Sequence, residues 1–391
     1  MMRICLISYE YPPRTGIGGI GTYVYQLSKA LERKKIETEV ICADPSDNMT
    51  IAESNYLTIT KIRCATREQF RKLTPAAAAK RYAEKPFDVI ECAEFGAEGL
   101  YIKEKLPDIP LVIKLHTPHF LIKELNDHYY DNLWWRKWKK KAGFGYSIKN
   151  DPEYKALLQA DHVTSPSLSL MNIIQERWKI PAEKITHIPN PYFPSAELLN
   201  IPAGAASKTV LYIGRLETRK GVYNLAKAIP EVVKKIPDVR FVFLGKNSRG
   251  VFREKSMKKV LEKELGPAIS HTRFIDQVAL EEIAGFLAEA HTCIFPSIWE
   301  NFPNVCLEAM SAARNIIAGQ YGGMKDMLED TGNHQLVDPH NVHSIASHLI
   351  ALLEKEGNKE IVLKNRNKVL LEYGDAVIEK TLQLYQSVIK K

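Results

Sequence analysis

Glu300 and Glu308 frame the stretch Glu300-Asn-Phe-Pro-Asn-Val-Cys-Leu-Glu308, an E-x7-E spacing across the junction of a short apolar run and a helical pattern. The run Thr292-Cys-Ile-Phe-Pro296 is β-rich and predicts a buried strand. Val305, Leu307, Ala309 and Met310 then continue as a helix, with Asn304 as its N-cap. A helix that begins at the carboxyl end of a strand offers unpaired N–H groups and a partial positive charge, the arrangement that receives phosphate in open α/β sheets. A carboxylate beside a phosphate is repelled unless it faces something else, and the hydroxyls of a sugar or a ribose are suitable donors to it. Two acids near a helix start are also favoured by the helix dipole alone. The spacing leaves both readings open.

Three other groups of residues carry chemistry. Gly214-Arg215-Leu-Glu-Thr-Arg-Lys220-Gly221 follows an apolar run, so Arg215 sits at a strand's carboxyl end and Lys220 beside the next helix. A planar guanidinium and a compact ammonium converging there suit a diphosphate, whereas Arg219 reads as part of a solvated basic turn. His116 ends another apolar run in Lys114-Leu-His116-Thr-Pro-His119 and could hydrogen-bond a substrate hydroxyl, with His119 as its competitor; a satisfied structural histidine is the plainer reading. Gly16-Ile-Gly18-Gly19-Ile-Gly21 matches G-x-G-x-x-G, and Asp44 ends the second strand where a dinucleotide fold keeps its ribose acid. However, Tyr9-Glu-Tyr-Pro-Pro-Arg-Thr15 separates strand from glycines, and the dinucleotide fingerprint needs the turn directly after the strand. Gly18 and Gly19 ahead of a helix over 22–33 remain able to bring backbone close to a ligand.

These residues need sheets to hold them. Apolar β-type runs at 3–9, 38–43, 87–92, 111–116 and 162–167, then at 209–215, 239–246, 273–276, 292–296, 315–320 and 335–338, alternate with helical patterns throughout. That alternation predicts α/β architecture with parallel sheets. The Pro- and Gly-rich stretches Ile188-Pro-Asn-Pro-Tyr-Phe-Pro194 and Ile201-Pro-Ala-Gly-Ala-Ala-Ser207 read as a linker. We therefore expect Rossmann-like, doubly wound domains over 1–192 and 193–374, facing each other across a cleft. An amphipathic helix over 375–391, apolar through Val377, Ile378, Leu382, Leu384 and Ile389, is expected to pack back on the first.

Composition narrows the class. A chain of 391 residues, 45% hydrophobic and 26% charged, is globular and long enough for two cores. No stretch reaches the ~18 consecutive apolar residues of a membrane span. The start, Met1-Met-Arg-Ile-Cys-Leu-Ile-Ser-Tyr-Glu10, meets an acid and Pro12-Pro13 too early for a secretory signal, so a cytoplasmic address is expected. Cys5, Cys42, Cys64, Cys92, Cys293 and Cys306 are scattered without metal spacing and read as reduced core residues. The net charge of +8 favours an anionic ligand or surface without choosing one.

Taken in order, Tyr11-Pro-Pro with Gly18-Gly19, His116, Ile188-Pro-Asn190, Gly214-Arg215-Leu through Lys220-Gly221, Phe295-Pro-Ser297, the Glu300 to Glu308 motif and Gly322-Gly323 resemble the GT-B glycosyltransferases of the retaining family 4. The resemblance covers nearly the whole chain. It implies a nucleotide-sugar donor, a UDP-sugar carrying glucose, held mainly by the C-terminal half. Arg215 and Lys220 would hold the diphosphate, Glu308 the ribose hydroxyls and Glu300 the donor sugar. Backbone amides of Asn301, Phe302, Asn304 and Val305 would line the sugar and phosphates, while Lys246 with its neighbour Asn247, Gln277 and Val278 would line the base. From the first half, Gly18-Gly19 would approach the diphosphate and His116 the sugar. Asn301-Phe-Pro-Asn304 stands where Gly-Phe-Gly is frequent in the family, and Pro303 removes one N–H. The implied reaction is hexosyl transfer with retention. It needs no metal or other cofactor, since the cations and the helix start stabilise the leaving diphosphate; Asp44-x-x-Asp47 lies off the expected metal site.

Leu133-Trp-Trp-Arg-Lys-Trp-Lys-Lys-Lys141 interleaves aromatics with bases. It suits an anionic membrane at the inner face that carries a lipid-linked or polysaccharide acceptor, or a helix with its tryptophans packed inward. Rival readings are a GT-B nucleotide-sugar epimerase, a glucan synthase, or a membrane- or nucleic-acid-binding protein using this segment. The last does not account for Arg215, Lys220 and the E-x7-E helix together, and no nucleic acid is expected as a partner.

Overall fold

The computed structural model describes residues 2–13, 15, 18–130, 146–204, 207–250, 254–329, 335–354 and 359–390. They form two compact units, each with its own sheet; unit 1 is Met1–Leu121, Tyr146–Phe193 and Glu372–Lys391, and unit 2 is built on Pro194–Leu371. The 133–141 segment lies outside the described residues.

Unit 1 contains β1 (Arg3–Ser8), β2 (Glu37–Asp44), β3 (Met49–Ala52), β4 (Leu57–Arg63), β5 (Val89–Ala93), β6 (Leu111–Lys114), β7 (His162–Ser165) and β8 (Ile185–His187), in the order β3-β4-β2-β1-β5-β6-β7-β8. Every pairing is parallel except β3 with β4. The central strands are apolar on both faces because helices cover both: all six residues of β1 and all five of β5 are buried. The alternation pattern did not predict β3, β4 or β8. Met49–Ala52 is exposed throughout and pairs antiparallel at the sheet edge, where burial leaves no hydrophobic signature.

The helix Asp375–Ile389 contributes Ile378, Leu382, Tyr385 and Val388 to the same core as Ile4, Leu6 and Val89. Each such fully buried aliphatic side chain contributes about 1.5–3 kcal/mol. Tyr385 adds a polar tie, its hydroxyl donating to Glu91 Oε2 at 2.8 Å while the Tyr23 hydroxyl donates to Oε1 at 2.6 Å.

Unit 2 contains β9 (Thr209–Ile213), β10 (Arg240–Leu244), β11 (Thr272–Ile275), β12 (Thr292–Phe295), β13 (Asn315–Gly319) and β14 (Gln335–Val337), all parallel, in the order β11-β10-β9-β12-β13-β14. The helix Val222–Lys235 buries Val222, Leu225, Ala226, Ile229 and Val232 at helical spacing against this sheet. All six cysteines are buried and unpaired. No helix among the described residues is long and apolar enough to cross a membrane.

Candidate functional site

In unit 2 the strand order runs outward in both directions from the β9–β12 pair, which makes that pair the topological switch point. Crossovers on either side leave a crevice at the carboxyl ends of such strands. Both motifs singled out in this half arrive there: Arg215 to Lys220 follow β9, and Ser297 to Glu308 follow β12. Backbone hydrogen bonds lace the turns together, with Ile298 N donating to Arg219 O at 2.8 Å, Leu216 N to Lys246 O at 2.9 Å and Gly245 N to Ile275 O at 3.0 Å. The turn after β9 closes as a single 3-10 turn, Thr218–Lys220, and Gly221 follows with φ +71°. A Cβ on Gly221 would stand 1.8 Å from Pro296 O, so only glycine lets the lysine-bearing turn lie this close to the β12 loop. Gly322 makes the same approach from the other side, at φ +88° with an imagined Cβ 2.2 Å from Glu300 O.

Glu300 is held at the meeting point of these turns. Its Oε1 pairs with Lys220 Nζ at 2.5 Å and accepts from Arg219 Nη1 at 3.1 Å, and its backbone carbonyl accepts from Gly323 N at 2.8 Å. Burial pushes its carboxyl up, but Lys220 and Arg219 outweigh that and hold it below the usual carboxylate range. Arg219 is not the solvated residue expected from the sequence. Its side chain is only 14% exposed, because the turn folds it inward between Glu300 and Glu217, the latter pairing with Nη2 at 2.8 Å. Arg215 is exposed and reaches Glu217 Oε1 at 3.3 Å.

The helix after β12 spans Asn304–Ser311, with Pro303, not Asn304, as N-cap. Pro303 has the extended backbone of a cap and its carbonyl already accepts from Cys306 N at 3.0 Å, so Asn304 is the first helical residue. The Pro303 ring offers no side-chain acceptor to the first turn. Glu308 lies inside the helix. Its Oε2 is buried with no hydrogen-bond partner among the described residues, and burial pushes the carboxyl up to about 7. An unpaired buried carboxylate is costly, and a hydroxyl donor would relieve it. Asn301 is buried, and Phe302 and Val305 are half-buried beside it. Lys246 and Gln277 are exposed and Val278 half-buried, on the loops after β10 and β11.

In unit 1 the switch point is the β1–β5 pair. Gly18 caps the helix Gly19–Arg33, and both Gly18 and Gly19 are exposed. Gly16 lies outside the described residues. A carboxylate stands at this helix start, Gly21 N donating to Glu10 Oε2 at 3.3 Å, where a dinucleotide fold would place its pyrophosphate. Asp44 is likewise engaged at home: Ser46 donates to Oδ1 from its hydroxyl and backbone, which draws the carboxyl down to about 2, and Lys61 stands 3.4 Å from Oδ2. His116 follows β6, its Nδ1 3.2 Å from Lys114 O and 3.4 Å from Glu94 Oε2, and its ring meets Tyr23 edge-on. His119 instead stacks on Phe95. Burial pushes Lys114 down to about 7, and its ammonium donates to the carbonyls of Ile188 at 2.6 Å and Pro189 at 3.3 Å, which pins the Ile188-Pro-Asn190 segment to β6.

No motif in the sequence pointed to the carboxylates round this edge. Glu94 and Glu98, both on the loop after β5, meet Glu153 and Glu10 only in the fold, with Arg67 pairing to both Glu98 and Glu10. Glu153 accepts from Gly96 N at 2.9 Å and His119 N at 2.8 Å. Among the described residues no group of three or more His, Cys, Asp or Glu could hold a metal ion.

Comparison with known proteins supplies the family. The chain is similar to the phosphatidyl-myo-inositol mannosyltransferase of Mycolicibacterium smegmatis, 23% identical over 399 residues that cover 98% of this chain and 93% of the relative. In fold it matches sucrose-phosphate synthase from Thermosynechococcus elongatus at a TM-score of 0.72 and 20% identity, over 100% of each chain. It also matches HepE of Anabaena in complex with UDP-glucose at 0.68 and 16%, over 99% of this chain and 100% of that one. The family model for Glycosyltransferase Family 4 matches residues 17–194 and that for Glycosyl transferases group 1 matches residues 207–355. Matched in this way along the bodies of both α/β units, the chain belongs to the group 1 glycosyltransferases of family 4, on the GT-B fold.

Proposed function

We propose that the protein transfers glucose from a UDP-sugar to a hydroxyl of a polysaccharide or lipid-linked saccharide, with retention at the anomeric carbon and without a metal ion. The observation that carries this reading is the buried Oε2 of Glu308, without a hydrogen-bond partner among the described residues, one turn inside the helix that follows Glu300, which itself pairs with Lys220 and Arg219. Ribose hydroxyls satisfy that carboxyl, and a diphosphate satisfies the cations. Arg215 and Lys220 oppose the charge that develops on the departing diphosphate, and the amides of Asn301, Phe302, Asn304 and Val305 add to them. Glu300 accepts from the sugar hydroxyls. Lys246, Gln277 and Val278 line the base, His116 addresses the sugar, and Gly18-Gly19 the diphosphate. The acceptor hydroxyl attacks without a covalent enzyme intermediate. A cytoplasmic protein that meets an anionic membrane through 133–141 fits a lipid-linked acceptor.

The mycobacterial relative's name supports a second reading, a mannosyl donor and an inositol-lipid acceptor. One experiment addresses both: calorimetric binding and slow hydrolysis of UDP-glucose, UDP-galactose, ADP-glucose and GDP-mannose, with and without chelator. UDP-glucose binding that survives chelator is expected, a GDP-mannose preference selects the second reading, and no binding of any donor removes the glycosyltransferase assignment of this site. Flotation with anionic vesicles tests the membrane, and its absence removes that part.

A further inference from the structure

We propose that Arg219 is a positioning residue of the donor site, bridging Glu217 and Glu300 so that Glu300 stays ionised and in place when Lys220 leaves it for a donor phosphate. The inference rests on the functional reading above. A single oxygen, Glu300 Oε1, carries both Lys220 Nζ at 2.5 Å and Arg219 Nη1 at 3.1 Å. The ammonium is the mobile partner, a compact charge on a flexible stem that a diphosphate can draw away. Departure of Lys220 strips a buried carboxylate of one of its two cations. The guanidinium cannot follow, because its other arm is tied to Glu217 Oε1 at 2.8 Å and its own carbonyl is held by Ile298 N. It is also permanently charged, so it keeps compensating Glu300 over the working pH range.

The groups facing Glu300 are Lys220 and Arg219 from the turn after β9, Ser297 from its own loop, and the Tyr212 ring beneath, whose hydroxyl donates to Arg215 O at 2.8 Å. Of these only Arg219 can replace the charge that Lys220 withdraws. Without it, burial drives the carboxyl upward and Glu300 takes a proton in the pH range where donor turns over, losing the charged acceptor that the sugar hydroxyls need. An opposite charge this close lowers a carboxylate by about one pH unit or more.

The test compares native protein with Arg219→Gln, Arg219→Lys and Glu217→Gln. Two readouts are the pH profile of UDP-glucose hydrolysis and the carbon-13 titration of the Glu300 carboxyl, assigned with Glu300→Gln, in ligand-free and UDP-bound protein. Arg219→Gln is expected to move the acid limb of turnover, and the UDP-bound Glu300 titration, upward by about one pH unit, with KM changed less than about twofold. Arg219→Lys restores most of the shift, whereas Glu217→Gln, which removes a neighbouring negative charge, moves the limb little or downward. An unmoved acid limb in Arg219→Gln overturns the proposal, and so does a loss of donor affinity equal at every pH, which would make Arg219 a phosphate ligand. If Arg219→Gln fails to fold, the native protein decides: a Glu300 carboxyl that rises into the turnover range when UDP binds overturns the proposal, and one that stays below it is expected. A native protein that binds no nucleotide-sugar overturns the functional reading, while the ligand-free Glu300 titration still decides whether Arg219 holds the carboxyl ionised.

Discussion

The carboxyl edges of the two sheets share a topology and differ in charge. At the switch point of unit 1, Glu10 and Glu98 pair with Arg67, Glu94 stands by His116 and Glu153 accepts from the Gly96 and His119 amides, and burial pushes Glu98 and Glu153 up to about 8. At the switch point of unit 2, Arg215, Arg219 and Lys220 face Glu217 and Glu300, and Glu300 is held below its usual range. Burial raises two carboxyls at one edge, Glu98 and Glu153, while the other edge keeps a carboxylate charged inside a surplus of cations. The difference teaches that a doubly wound sheet supplies a place for a ligand but not its sign, which the turn residues set. On the proposed function, the cations of the unit 2 edge take the anionic diphosphate of the donor.

The contrast breaks most readily at Lys220. Lys220→Ala removes a charge-assisted contact and is expected to weaken UDP-glucose binding by about 10- to 100-fold, measured by calorimetry, whereas Arg67→Ala in unit 1 should leave that affinity within about twofold. Equal losses from both would erase the distinction between the edges. A smaller effect sharpens it at Glu308. With its carboxyl near 7 in the free site, ribose binding to the charged form releases a proton near pH 7. Calorimetry in buffers of different ionisation enthalpy should detect that release, affinity should fall by up to about tenfold as pH drops from 8 to 6, and Glu308→Gln should abolish both effects. Proton release unchanged in Glu308→Gln would remove the ribose assignment.

The smallest effect lies in unit 1. Glu98 has a raised carboxyl, so the folded state holds more protons than the unfolded chain between about 4.5 and 8. Its contribution therefore costs stability as pH rises through that window and levels off above it. Glu98→Gln should flatten the dependence by about 1 kcal/mol, since neighbouring carboxyls share the proton, as read from urea midpoints at pH 5 and 8. A dependence unchanged in the variant would place the stored proton elsewhere.

How much of this was legible follows from what each feature depends on. The strands β1, β2, β5, β6, β7, β9, β12 and β13 announce themselves as apolar runs because they are buried on both faces, and the edge strand β11, with no buried residue, is marked by its short β-type run instead. β3 does not, since it is wholly exposed and its periodicity carries no burial to read, while β4, buried at Leu57, Ile59 and Ile62, alternates its apolar residues with Thr and Lys and was passed over. Lys220 and the E-x7-E helix were legible as neighbours of strand ends. Arg219 was misread as solvated, because a basic turn looks the same in sequence whether it points out or folds inward. The carboxylate group of Glu94, Glu98 and Glu153 was invisible, because Glu153 joins the neighbours Glu94 and Glu98 from a segment more than fifty residues away.

The sequence by itself determined the α/β alternation, the glycines that permit close turns at Gly221 and Gly322, and the residue types at each strand end, since these follow from local pattern and backbone sterics. Only the tertiary structure decided which strand ends adjoin, that Glu300 Oε1 is shared by two cations, and that Glu308 is left buried with an unsatisfied oxygen. Charge compensation and desolvation depend on neighbours in space, and the order of residues along the chain does not specify those neighbours until the sheet has set its strand order.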